Sequence, residues 1–167
     1  MMKKGYDNQL TRQIGEHIVV AKLGRFGILA TPFAGNVPSI DLLASDISGH
    51  SLPIQVKAVN GPSWQFSATS FLEIEFEGDK QVIKGKRVLL NPRLICVFVF
   101  IKQDGHDDFY ILSLKNLQDH FYKNYKGGTR PKNSQSTHCA VWPKELKKYH
   151  NNWKMITKHF DTIGEKG

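Results

Sequence analysis

The sequence predicts an α/β domain built on a mixed β-sheet, and three stretches carry that prediction. Leu10, Ile14, Ile18 and Ala21 recur at helical spacing near the start of the chain. Pro38–Ala44 and Leu52–Val59 read as the two strands of a hairpin turning at Ser48-Gly49. Leu94–Ile101 is an unbroken β-rich apolar run that asks for burial on both faces, and so for a place at the sheet centre.

The first helix is expected to be capped by Asp7 or Asn8 and to stop at Gly24. Val19, Val20 and Leu23 form a second apolar stripe on it, and Glu16 precedes them by one or two turns, so its carboxylate falls on an apolar face. A buried acid needs a partner or a metal. The alternative is a glutamate at the rim of that face, bonded to Arg12 or His17. Arg25–Thr31 reads as the first strand and Pro32–Asn36 as the connection into the hairpin.

The hairpin carries polar groups that an ordinary half-buried pair would not need. Asp41 sits within Ile40-Asp41-Leu42-Leu43, while Gln55 and Lys57 alternate with Ile54, Val56 and Ala58 and share one face. Asp41 joins that face only if the hairpin has an odd-numbered loop or a β-bulge. The Gln55-x-Lys57 pair is also rare within the chain. Only Lys57 and Lys147 have Asp, Glu or Gln two positions earlier, and Glu145-x-Lys147 lies in a polar, helix-like segment.

This spacing resembles the PD-(D/E)xK nuclease superfamily, above all its Holliday-junction-resolvase-like and restriction-endonuclease-like members. Those have a glutamate on a first helix, an aspartate on a strand, then acid-x-Lys on the next strand. The resemblance covers roughly the first sixty residues. It implies a restriction-endonuclease-like central mixed β-sheet flanked by helices, and a metal-dependent endonuclease hydrolysing phosphodiester bonds in nucleic acid, with DNA the expected substrate. It further implies Mg2+ (or Mn2+) bound by Asp41, Glu16, the side-chain oxygen of Gln55 and the backbone carbonyl of Val56, with Lys57 orienting or activating water. The catalytic set is then Asp41, Gln55, Lys57 and Glu16. A homodimer fits the cutting of two strands, although no residue marks an interface.

Gln55 departs from the family pattern, since an amide oxygen coordinates without bringing charge. Either Glu16 supplies the missing charge, or the site has decayed and the protein is a catalytically inactive DNA-binding or assembly module on the same fold. A second departure is the missing helix between the third and fourth core strands, because residues 60–92 hold no helical pattern. Trp64–Ser67 can extend the sheet there, and Phe71–Glu77 alternates as a strand with Glu73, Glu75 and Glu77 on its wet face. After the apolar run come a polar turn at Gln103–Asp108, a hairpin strand at Phe109–Leu114 and a helix over Leu114–Tyr125. Lys126–Ser136 is polar and basic, and is either flexible or ordered by a ligand. Lys144–Tyr149 and Trp153–Ile156 read as short terminal helices, with Trp153 packed on the domain.

Composition bounds the rest. A chain of 167 residues fits one domain, 1–167, with a basic section from about 115. Residues 1–114 carry 12 basic and 11 acidic side chains, whereas 115–160 carry 10 and 2. Such a block suits a polyanionic partner, with Lys126, Arg130 and Lys132 as candidate nucleic-acid contacts, or it merely keeps the protein soluble. A basic adaptor for acidic protein or membrane surfaces would explain this block but not the hairpin. Two cysteines, Cys96 and Cys139, cannot make a disulfide framework, and Cys139 with His138 is too small a set for zinc. With no apolar leader and no membrane-length run, the expectation is a soluble cytoplasmic protein.

Overall fold

The computed structural model describes residues 4–34, 38–126 and 136–164. Its backbone is a three-layer α/β arrangement around a five-stranded mixed sheet. Helix α1 (Lys4–Arg25) leads into β1 (Leu29–Pro32), β2 (Leu42–Ser45) and β3 (Ser51–Val59). Two small pairs follow: β4 (Trp64–Ser67), then the hairpin β5 (Leu72–Glu77) and β6 (Lys80–Lys86). The main sheet resumes with β7 (Ile95–Phe100) and β8 (Asp108–Ser113), and α2 (Leu114–Asn124), β9 (His138–Val141) and α3 (Lys154–Gly164) complete the chain. The sheet order is β1-β2-β3-β7-β8, antiparallel except for the parallel β3–β7 pair. β3 is therefore the central strand. The apolar run forms its neighbour β7, which is buried almost throughout as expected.

Each face of the sheet has its own core. Ile54 and Val56 of β3 and Val97 and Val99 of β7 pack with Val19 and Leu23 of α1 and with Trp153, Ile156 and Phe160 at α3. Cys96 and Phe98 point the other way, into a cluster with Trp64, Leu117 and Phe121. Trp153 packs in the first core against Phe26 and Phe109, as its sequence context suggested.

α1 begins earlier than its expected cap, and Asp7 and Asn8 lie inside it. It also runs through Gly24 and stops at Arg25, where Gly27 takes φ 74° and turns the chain into β1. Its buried line is Thr11, Gly15, Val19 and Leu23, so Ile14 and Ala21 of the first apolar stripe stay exposed. Gly15 fixes the approach of this helix to the sheet. A Cβ at that position would stand 2.3 Å from the Ala58 Cβ of β3, closer than two carbons can sit. Gly15→Ala is therefore expected to lower stability despite its better helix propensity. Overpacking costs about 1–3 kcal/mol and the helical gain returns about 1 kcal/mol, a balance readable from urea midpoints.

Trp64–Ser67 does not extend the main sheet. It pairs with β9, a four-residue strand in a stretch that reads as loop from sequence. Glu75 and Glu77 lie on the wet side of β5, both within ion-pair distance of Lys84. In the Gln103–Asp108 turn, Asp107 accepts the Lys102 N–H and Asp108 pairs with Lys102 and His150, so these carboxylates serve the turn itself. Between β3 and β7 the described residues hold no α-helix, only a single 3-10 turn at Ala68–Ser70, and no described helix is long and apolar enough to cross a membrane.

Candidate active site

β2 and β3 pair with Leu42 opposite Ile54 and Ser45 opposite Ser51. The intervening loop, Asp46–His50, has an odd number of residues. It is closed by the Gly49 N–H on the Asp46 carbonyl and by the His50 N–H on Asp46 Oδ1, with Gly49 at φ 87°. Asp41, one residue before β2, thus continues the register towards Gln55. Gln55 and Lys57 face away from α1, on the side of Cys96 and Phe98, their partners across the parallel ladder.

β2 ends opposite Ile54, so from Gln55 onwards the β2-side edge of β3 has no strand against it. Asp41 occupies the head of this open edge. Its own N–H donates to the Ile54 carbonyl, and its Oδ2 accepts the Val56 N–H at 2.7 Å. Because the N–H and C=O of one strand residue point to the same edge, the Val56 carbonyl shares this opening. Ser39, two residues earlier, stands at φ 65°, an uncommon conformation for a residue with a side chain.

Glu16 stands on α1, on the other face of the sheet, near enough to feel the Asp41 charge. It is partly buried on α1 beside Gly15. Its carboxyl holds a proton more tightly than an ordinary glutamate, first because burial strips it of water and second because Asp41 is close. Arg12, one helical turn before Glu16, offsets part of this, with its Nη2 3.9 Å from Asp41 Oδ1. The sequence suggests Arg12 as a partner for Glu16, and the structure sets it beside Asp41 as well. Arg12 is 65% exposed and Asp41 17%, so the guanidinium stands at the mouth and the carboxylate inside.

Lys57 is held by its backbone, whose carbonyl accepts the Trp64 indole N–H at 2.8 Å. Among the described residues its ammonium makes no hydrogen bond or ion pair, and Gln55 Oε1 receives only a long S–H contact from Cys96 at 3.9 Å. Burial pushes the Cys96 thiol up to about 12, with Lys57 pulling it down and Asp41 raising it, so both charges are felt there. Burial likewise pushes Cys139 up to about 11, and neither cysteine is a ready thiolate.

Arg130 and Lys132 lie outside the described residues. Lys126 is exposed just beyond α2, its ammonium donating to the Lys123 carbonyl. The described lysines of the basic block do not share one surface, since those of α2 and those of α3 belong to opposite faces of the sheet.

Neither a protein-family model nor a curated protein matches this sequence. Among solved structures the chain is similar to a bacterial homing endonuclease, I-Ssp6803I, with a TM-score of 0.51 and 14% sequence identity over 92% of this chain and 95% of that one. The fold is nuclease-like. At this identity the likeness speaks for the architecture, a mixed sheet flanked by helices, and any chemistry has to be argued from the residues along β3.

The carboxylate pair gives stability a pH signature. Because folding raises the proton affinity of Glu16, the folded state binds more protons than the unfolded chain between the ordinary glutamate range and the raised value. Stability then falls as pH rises through that window. Glu16→Gln should melt higher than wild type at pH 7 and lose this advantage at pH 4, in thermal scans free of divalent cations.

Proposed function

We propose that this protein is a divalent-cation-dependent endonuclease acting on DNA through a PD-(D/E)xK-type site. The observation that carries the reading is Asp41 bonded to the Val56 N–H at the open edge of β3, the strand that also bears Gln55 and Lys57, with Glu16 near enough to feel its charge. Two carboxylates, an amide oxygen and the Val56 carbonyl are all hard oxygen donors, the set that Mg2+ or Mn2+ prefers over zinc. No group of three His, Cys, Asp or Glu stands ready for a metal among the described residues, so the amide and the carbonyl have to complete the set. The repulsion between Glu16 and Asp41, which Arg12 only partly offsets, is what a cation would remove.

In this reading Asp41, Glu16, Gln55 and the Val56 carbonyl hold the ion. A bound Mg2+ would offset the charge that builds on the phosphate and make its water more acidic. The Lys57 ammonium orients the attacking water and favours its deprotonated form. Arg12 stands at the mouth, where its guanidinium can take a phosphate oxygen in place of Asp41. Lys126, with Arg130 and Lys132 beyond the described residues, contributes backbone contacts and the salt sensitivity that goes with them. The likeness to an endonuclease supports the reaction class at a coarse level.

The experiment is incubation of purified protein with supercoiled plasmid and Mg2+ or Mn2+. Nicked or linear product that vanishes with EDTA supports the reading, and intact plasmid at high enzyme concentration rejects it.

The second reading, an inactive DNA-binding module on the same fold, has one observation of its own. Asp41 Oδ2 already has a structural task, closing off the Val56 N–H, and Gln55 brings no charge. Under it, the plasmid is bound and stays whole with either cation.

A further inference from the structure

Between β6 and β7 the chain runs Arg87-Val88-Leu89-Leu90-Asn91-Pro92-Arg93. Val88 and Leu90 are 93% and 105% exposed, while Leu89 between them is partly buried. This is the alternation of an extended segment anchored by its middle residue, with two aliphatic side chains offered to the outside.

The segment is firmly held. The side-chain amide of Gln118, itself buried on α2, donates to the carbonyls of Arg87 at 2.7 Å and Phe71 at 2.9 Å. The Arg87 N–H bonds the Phe71 carbonyl, and its Nη1 donates to the Thr69 carbonyl. At the far end the Leu94 N–H bonds the Asn91 carbonyl and the Lys115 N–H bonds the Pro92 carbonyl. Exposed aliphatics in a loop fixed at both ends cannot fold back to hide themselves, so their exposure is a built feature.

The flanks say what covers them. Arg87 and Arg93 are both exposed, and neither has a carboxylate partner among the described residues. A two-fold contact with a second copy would bring these arginines towards their own images, which like charge opposes. A polyanion suits them. A single-stranded one would call for aromatic stacking platforms, which this loop lacks, whereas aliphatic wedges flanked by arginine are a device for opening base steps of a duplex from the minor groove. The loop also ends close to the candidate site. Cys96, three residues after Arg93, pairs with Gln55.

We propose that residues 87–93 form a duplex-binding wedge, in which Val88 and Leu90 press into the minor groove and Arg87 and Arg93 grip the flanking phosphates. The proposal rests on the nucleic-acid half of the functional reading and not on its chemistry. A wedge that partly unstacks a step unwinds the duplex, and unwinding can be read without knowing a recognition sequence.

The test uses plasmid relaxed by a topoisomerase in the presence of the full-length protein, with EDTA to suppress cleavage. Wild type should shift the linking number in proportion to the protein bound. The double variant Val88→Ser, Leu90→Ser should lose most of that shift at equal occupancy and bind duplex about tenfold more weakly, because unstacking is no longer compensated by apolar contact. Its salt dependence should stay unchanged, since both arginines remain. Both positions are on the surface, so an unaltered melting curve will certify the fold. An unchanged linking-number shift in the variant would overturn the wedge. So would sedimentation showing a wild-type oligomer that the variant dissociates, which would give the loop to a second copy. Wild type that unwinds plasmid in EDTA but cuts nothing with Mg2+ leaves the wedge standing and removes the nuclease chemistry. Wild type that binds no duplex removes both.

Discussion

Asp41→Asn and Lys57→Ala are each expected to slow plasmid cleavage by about 10²–10³-fold or more, while leaving duplex binding within a few-fold of wild type. Asparagine is the informative replacement at 41, because Oδ2 of Asp41 accepts the Val56 N–H at 2.7 Å. Alanine would leave that donor at the open edge of β3 without its partner, at a cost of about 1–3 kcal/mol, and would confuse lost stability with lost chemistry. An amide keeps an acceptor there and removes only the charge. Lys57 has no such complication. Its side chain makes no hydrogen bond or ion pair among the described residues, and its backbone stays anchored to Trp64 whatever side chain it carries. Cleavage that survives Asp41→Asn, in protein freed of contaminating nuclease, would remove the site from consideration.

The second large effect is expected at Gln55. Replacing it with glutamate adds a full negative charge to an opening that already holds Asp41 and Glu16, so a divalent cation should bind about ten- to a hundredfold more tightly. The cation-free protein should become less stable, because a third carboxylate joins a pair that already repel. Calorimetric titration with Mn2+ and melting curves with and without the ion measure both. If the wild-type site is active, the gain in rate will be small compared with the gain in affinity. If it has decayed, Gln55→Glu should bring cleavage into view. Tighter binding with no change in cation-free stability would mean that position 55 does not see the other two carboxylates.

The sheet and its helices could be read from the sequence where periodicity is strong. The run that became β7, the hairpin about Ser48-Gly49 and the helix after β8 all follow from spacing, and the spacing also put Gln55 and Lys57 on one face. What could not be read depends on contacts between parts distant in sequence. β9 is only four residues long, too short for a period to show, and exists because β4 pairs with it. α1 runs one residue past Gly24, to Arg25, because helical geometry tolerates Gly24, whereas Gly27 just beyond has the positive φ that turns the chain. The packing face of α1 was legible only in part: Val19 and Leu23 of the second stripe are buried, but its closest approach is at Gly15, whose importance lies in a side chain it lacks. Arg12 beside Asp41 was likewise hidden, since it depends on how close a helix on one face comes to a strand end on the other. The exposed pair Val88 and Leu90 has ordinary strand-like alternation, and only the hydrogen-bonded loop reveals that it faces outwards.

The claim on which the nuclease reading depends is that Asp41 and Glu16 bind a divalent cation at the open edge of β3. Calorimetric titration of Mn2+ into the wild-type protein and into Asp41→Asn, both stripped with EDTA and matched by melting temperature, tests it most directly. The account predicts saturable binding to wild type that Asp41→Asn weakens at least about tenfold, as the loss of one anionic ligand requires. Absence of saturable binding to wild type, or equal binding by both proteins, would contradict it.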